Sequence, residues 1–219
     1  MRTGSSRIGA SVVCLLVSCL PASAAGAEPR QGDPPADPPA TATPITPPPP
    51  SRPVSVLAGQ LESPSAAVRV EAASQLAGAR RLPDTVWSAL NRLTVEDPDR
   101  AVRIAADRTR HLLVIRGVRT GIGDTYDEGP RPLKAEPPRL PQEARQRRVT
   151  GVVRVLVLID ERGKVEDAEI VESIPVLDEA ALKCIRRAEF QPATRNGEPV
   201  PTYAIAPISF SLTTKTIPY

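Results

Sequence analysis

The sequence predicts an α+β domain in its C-terminal third, a three-stranded antiparallel sheet with two helices, preceded by a small all-α repeat region and a disordered proline-rich linker. Three features carry that expectation. Apolar residues alternate with period two through Val153, Val155, Val157 and Ile159, and again through Ala204, Ala206, Ile208, Phe210 and Leu212. A short motif recurs upstream at a constant offset. Eleven of the 26 prolines fall between Pro29 and Pro53, which leaves the remainder with an ordinary globular composition. The expected units are 1–27, an export signal or membrane anchor; 28–53, a proline-rich linker; 54–116, the helical repeats; 117–138, a second linker; and 139–214, the C-terminal domain.

Arg2 and Arg7 precede an uncharged run from Ile8 to Leu20 and then Ala22, Ser23 and Ala24, the order of a secretory signal. A helix over that run reaches about 20 Å, short of the roughly 30 Å hydrocarbon core. Extending it to Ala27 adds length through weakly apolar residues, which keeps an uncleaved anchor as an alternative. A third reading lies in Leu16, Val17, Ser18, Cys19, which resembles the lipobox of bacterial lipoproteins and would make Cys19 a lipidation site. All three export the rest of the chain. Only Cys184 then remains in the folded part, so no internal disulfide can form. Its place on an apolar helix stripe suits buried filler.

Acidic and basic residues are interspersed, and the net charge is +3. That pattern argues against nucleic acid as a partner. The run Arg145, Arg147, Arg148 reads as a solvated helix face.

The tract from Pro29 to Pro53 has almost nothing to bury and reads as an extended spacer of up to about 80 Å. Beyond it, Ser63, Pro64, Ser65, Ala66, Ala67, Val68, Arg69, Val70 aligns with Asp97, Pro98, Asp99, Arg100, Ala101, Val102, Arg103, Ile104, 34 residues later. Ser63 and Asp97 are expected N-caps with proline at the first helical position. Val68, Ala72 and Leu76 continue the first helix at helical spacing; Val102, Ala106, Leu112 and Leu113 continue the second less regularly. Shorter helices over Val54 to Leu61 and Asp84 to Leu93 precede them. Two such hairpins resemble HEAT repeats, which implies a spacer or protein-binding surface. Two repeats are fewer than a solenoid usually needs, so the pair must close on itself or lean on something else. Trp87 is expected in the core, and His111 at the surface or in a capping role.

In the C-terminal domain, Leu140 to Arg148 forms a short helix with Pro141 in its first turn. Val153 to Ile159 forms the first strand, Asp160 to Gly163 the turn, and Val165 to Ser173 the returning strand. Asp178 is expected to cap a helix whose Leu177, Ala180, Ala181, Cys184, Ile185 and Ala188 share one stripe. Asn196 and Gly197 turn the chain into a last strand, Thr202 to Leu212. Pro207 within it places that strand at a sheet edge, since proline has no N–H to give a ladder; that edge is either open to a partner or blocked by the proline against pairing and aggregation.

These blocks resemble the TonB C-terminal domain family. The resemblance rests on Pro141, Ala144 and Arg145; Gly151, Val153 and Val155; Asp160, Gly163 and Val165; Leu177, Asp178, Ala180 and Ala181; Phe190, Pro192 and Ala193; and Asn196, Gly197, Val200 and Pro201. Leu140 and Ala188 depart from the family's aromatic preference. The resemblance implies a non-enzymatic, membrane-associated energy transducer of the periplasm in a Gram-negative cell envelope. Its partner would be an outer-membrane transporter or receptor, or another periplasmic protein, held by strand addition, and an inner-membrane motor complex would drive it. Family transducers carry a histidine in a transmembrane helix, whereas the single histidine here is His111. The alternative is a non-transducing adaptor, periplasmic or lipid-anchored, that docks proteins on both folded regions. On the edge-strand reading, the partner-binding residues are Thr202, Tyr203, Ile205, Pro207, Ser209 and Ser211. No cofactor, metal cluster, phosphate loop or nucleophile with a histidine base is expected.

Overall fold

A computed structural model describes residues 43–121 and 125–212. The export signal, Cys19 and the tract as far as residue 42 lie outside the described residues.

The helical region consists of α1 (Val54–Gln60), α2 (Ala66–Leu76), α3 (Asp84–Glu96) and α4 (Arg100–Ile115). The N-caps are Ser65 and Asp99, two residues beyond the expected Ser63 and Asp97. The reason is local. The residue before a proline is driven out of the helical region, and Ser63 and Asp97 instead close the preceding turn by accepting from the Ser65 and Asp99 amides at 3.2 and 2.9 Å. Asp99 then accepts from the Ala101 amide at 2.8 Å.

The two copies share a further device. The Arg69 Nη1 donates to the Ser63 and Pro64 carbonyls at 2.8 and 3.1 Å, and Arg103 Nη1 repeats this with Asp97 and Pro98 at the same distances. The rest of the Arg69 fork grips both oxygens of Asp97, at 2.8 and 2.9 Å, tying the first copy to the second. Burial works against the Asp97 carboxylate, but Arg69 and the Asp99 amide outweigh it and hold the group below its usual range. Between the helices lie Ala72, Ala73, Leu76, Val86, Leu90, Val102, Ala106 and Leu113, with Val70 rather than Val68 packed at the margin.

Among the described residues the main sheet has four strands, not three. β3 (Gly151–Ile159) and β4 (Val165–Ser173) form the expected hairpin. β8 (Thr202–Phe210) pairs with β3 on its other side, in unbroken antiparallel register from Gly151↔Phe210 to Ile159↔Thr202. The extra strand is β1 (Thr43–Pro44), against Ser173 and Glu172 of β4. One face of the sheet buries Val153, Val155, Val157, Ile159, Ala204, Ala206, Ile208 and Phe210 under α6 (Pro175–Ile185), which contributes Leu177, Ala181 and Ile185. That helix opens three residues before Asp178. Asp178 instead reaches back to accept from the Ile174 amide at 2.9 Å, serving an open N-terminal donor from inside the first turn. α5 (Gln142–Gln146) follows Pro141, which is its N-cap.

The expected linker 117–138 holds structure. β2 (Arg131–Lys134) pairs with β5 (Glu189–Gln191), and the Asp127 amide donates to the Thr194 carbonyl at 2.8 Å. β6 (Ala193–Arg195) and β7 (Glu198–Val200) meet across Asn196 and Gly197, at φ 53° and 77°. Positive φ at both central residues is what a two-residue hairpin turn demands.

The helical pair does lean on something else. The sheet's second face packs Leu156, Leu158, Val171 and Tyr203 against Ala77 and Leu112. This resolves the irregular spacing of α4, in which Leu113 faces the helices and Leu112 the sheet. Burial of each such large apolar side chain stabilises by about 1.5–3 kcal/mol. Arg100 bridges Glu161 at 2.9 Å and Glu166 at 2.7 Å, and Arg108 meets Glu169 at 2.5 Å. Half-exposed pairs of this kind stabilise little, but they fix how the helices lie on the β3–β4 hairpin.

The end of the proline tract is also not a free spacer. Residues 43–53 form a strap: the Ile45 amide donates to the Val171 carbonyl at 2.8 Å, and Ser51 Oγ to Gln75 at 2.9 Å. Between them the strap backbone lies so close to Gly78 that a Cβ there would overlap the Pro48 carbonyl. Gly78→Ala should therefore destabilise the strap by about 1–3 kcal/mol, seen as faster hydrogen exchange at the Ile45 amide with the β3 amides unchanged.

Candidate functional site

Among the described residues β8 is a border strand, because it has a neighbour on the β3 side only. In an antiparallel pair, alternate residues turn both backbone polar groups toward the neighbour and the residues between turn theirs away. Register and hydrogen bonding settle which are which. Pro207 stands opposite Arg154 with no shift in the ladder, and the Tyr203 amide is bonded away from β3. Tyr203, Ile205, Pro207 and Ser209 thus point their backbone groups outward. The proline sits where a missing N–H breaks no ladder bond.

The six residues expected to form an open border divide into two groups. Thr202 and Tyr203 do not belong to it: they are 1% and 5% exposed, beneath α4. Ile205 and Pro207 are half-buried, and Ser209 and Ser211 are exposed, Ser211 lying just past the strand. Among the described residues, the Ile205 and Ser209 amides have no partner. The expected strand end at Leu212 also recedes, since Leu212 lies past the strand and is 37% exposed.

The residue that closes the first part of the border is Asp107 of α4, which sequence reasoning missed. Its Oδ2 accepts from the Tyr203 amide at 2.8 Å and from Thr202 Oγ1 at 3.2 Å. Its Oδ1 accepts from Arg110 Nη1 at 3.1 Å and the Tyr126 hydroxyl at 3.2 Å. Four donors make this buried carboxylate fully satisfied. A sequence signal existed, for Asp107, Arg110 and His111 at spacings of three and four lie together on one helix face. Nothing in the sequence says what that face meets.

His111 is buried rather than at the surface, 2% exposed. Its Nδ1–H donates to the Asp107 carbonyl at 2.9 Å, and its ring lies 6.4 Å from that of Tyr203. Burial drives the imidazole below its ordinary value against the pull of Asp107, and Arg110 adds to the lowering. An unfolded chain takes up this proton near pH 6.5 while the folded chain resists it. Stability should therefore be level above about pH 6.5 and fall as pH drops below it. Urea titrations at pH 7.5 and 5.5 check this, and His111→Gln should lessen the difference. Trp87 is half-buried against the helical core, with the guanidinium groups of Arg110 and Arg119 at 5.7 and 5.8 Å from its ring centre.

Two other features take no part in the border. A cleft of about 540 Å³ lies between α6 and the segment around Leu140, lined by Pro138, Pro175, Val176 and Cys184 among others. Cys184 is half-exposed there, not buried, and its thiol donates to the Glu136 carbonyl at 3.2 Å. Among the described residues no group of three or more His, Cys, Asp or Glu side chains could hold a metal ion. No described helix is long and apolar enough to cross a membrane.

The antiparallel sheet thus carries α6 on one face and α4 on the other, and ends in a proline-bearing border strand. Residues 136–212 match the model of the family described as Gram-negative bacterial TonB protein C-terminal. Protein TonB of Pseudomonas aeruginosa is 28% identical over 92 residues, which is 41% of this chain and 27% of that protein. The solution NMR structure of the Pseudomonas aeruginosa TonB CTD is similar at 27% identity over 41% of this chain and 92% of that one, with a TM-score of 0.34. The C-terminal segment is thus similar to TonB C-terminal domains. The family match does not extend before residue 136, so it lends nothing to the HEAT likeness of α1–α4.

Proposed function

We propose that this protein is a TonB-like component of the periplasm that holds a short extended segment of an outer-membrane transporter or receptor along β8, in energy-coupled transmembrane transport. The supporting observation is a border strand with outward amides at Ile205 and Ser209, in a segment similar to TonB C-terminal domains. An added strand would satisfy those groups, and side chains along it would supply selectivity. The same sheet already takes a strand at its other border, where β1 lies on β4.

Ile205→Pro and Ser209→Pro each remove one outward donor while leaving the β3 ladder intact. Each should weaken a synthetic peptide copying the periplasmic N-terminal segment of an outer-membrane transporter by roughly 2–10-fold, the equivalent of one net hydrogen bond. Calorimetric titration of the full chain checks this, with circular dichroism to verify the fold. Unchanged affinity in both variants would count against docking on β8.

A second reading is favoured by the way α4 is fixed to the sheet through Leu112, Arg100 and Arg108. The pair, which we read as HEAT-like, then extends one rigid docking body. Such a body suits an adaptor, periplasmic or lipid-anchored, that gathers envelope proteins without transmitting force. The mass of the mature N-terminus separates the readings. An intact N-terminus held in the inner membrane favours coupling to a motor complex there, whereas cleavage after Ala24 or Ala27, or acylated Cys19, favours the adaptor.

A further inference from the structure

We infer that Asp107 of α4 is a built-in stop on the docking border, which confines an added strand to the five residues from Ile205 to Ser209 and so sets the length and register of what this protein can hold. The inference rests on the docking reading above. It goes further in naming the residue outside the sheet that limits the site, and the class of ligand that fits it.

The outward groups of β8 belong to Tyr203, Ile205, Pro207 and Ser209. The first of these is already used, because the Tyr203 amide is bonded to Asp107 at 2.8 Å and its side chain lies in the apolar contact with Leu112. The carboxylate has no freedom to leave, since Thr202, Arg110 and Tyr126 all donate to it. Ile205 marks the boundary: it is half-buried, at the margin of the cluster that includes Ile104 and Ile115 of α4. Beyond Ile205 the border offers two donors, the Ile205 and Ser209 amides, and three acceptors, the carbonyls of Ile205, Pro207 and Ser209.

These groups set a recognition rule. An incoming strand meets β8 at three of its own residues, spaced two apart, about 14 Å from first to last at 3.4 Å per residue. The residue facing Pro207 can donate but finds no donor in return, so its carbonyl must turn to water. Each facing residue must itself have an N–H, which excludes proline at those three places. Residues past the Ile205 end meet α4 and gain nothing from the sheet.

The test joins exchange in the free protein to a peptide length series. In the unliganded full chain, the Tyr203 amide should exchange at least 100-fold more slowly than those of Ile205 and Ser209. The variant used is Asp107→Ala with Arg110→Met, which deletes both members of the buried pair. It should bring Tyr203 exchange to within tenfold of Ser209, while Asp107→Asn, which retains an acceptor oxygen, should keep it slow. Peptides of five, seven and nine residues from the same transporter segment should bind the unaltered protein within about twofold of one another. The seven-residue peptide should gain roughly 2–10-fold over the five-residue one in the double variant, from the rung that opens.

Tyr203 exchange as fast as that of Ser209 in the unaltered protein would overturn the stop. So would affinity that climbs more than about twofold from the five- to the seven-residue peptide in that protein. If no peptide binds but Tyr203 is slow and is released in the double variant, the docking reading fails and the stop stands.

Discussion

Asp107→Ala is expected to reduce stability by about 3–5 kcal/mol, the effect of removing one member of a buried ion pair and leaving the other charge in place. Asp107 and Arg110 have side chains only 3% and 0% exposed. The loss goes beyond the pair, because the Tyr203 amide, Thr202 and Tyr126 all lose an acceptor inside the junction between α4 and β8. Arg110 keeps Asn91 at 2.6 Å and Thr125 at 3.3 Å, which softens the damage. Asp107→Ala with Arg110→Met should be milder than Asp107→Ala alone, since replacing both members of a buried pair can be nearly neutral. Urea unfolding of the two variants checks the order. A single variant no worse than the double would mean that the carboxylate does not hold the two regions together.

The second large effect is expected at Gly163, in the turn between β3 and β4. Its φ of +79° is a conformation side chains rarely adopt, and a Cβ there would overlap the Phe190 carbonyl. The contact is not incidental, because the Phe190 amide donates to the Gly163 carbonyl at 2.8 Å and stitches the segment after α6 to the hairpin. Gly163→Ala combines a left-handed backbone penalty of about 1–3 kcal/mol with an overpacking penalty of similar size. The sum, about 2–6 kcal/mol, would show as a lower urea midpoint. Gly163→Asn separates the two, since asparagine tolerates the left-handed region but still carries a Cβ. It should recover only part of the loss.

The features legible in the sequence are those written in local chemistry. The β3–β4 hairpin arises from period-two alternation around Asp160 and Gly163, and the Asn196–Gly197 turn from two residues that accept positive φ. The 34-residue repeat survives in the matched carbonyl contacts of Arg69 and Arg103. Pro207 lies, as its missing N–H suggests, in a strand that among the described residues has a neighbour on one side only.

What is hidden depends on contacts between distant parts of the chain. The strap 43–53 has the composition of a spacer and docks through backbone groups and the absent side chain of Gly78, so no apolar pattern announces it. Residues 125–134 look like a linker because Thr125, Tyr126 and Arg131–Lys134 find their places only against α4, Thr194 and β5. Thr202 and Tyr203 read as open border because the sequence offers no way to see α4 lying over them. Asp107 looks like any solvated residue of an amphipathic helix, yet it decides where the border begins.

The most direct measurement of border docking is residue-resolved hydrogen exchange on the full protein, alone and saturated with the transporter peptide. The expected result is slowing of the Ile205 and Ser209 amides by at least tenfold on binding, with Tyr203 slow throughout. Saturable binding that leaves both amides at their free rates, and slows exchange elsewhere, would contradict it.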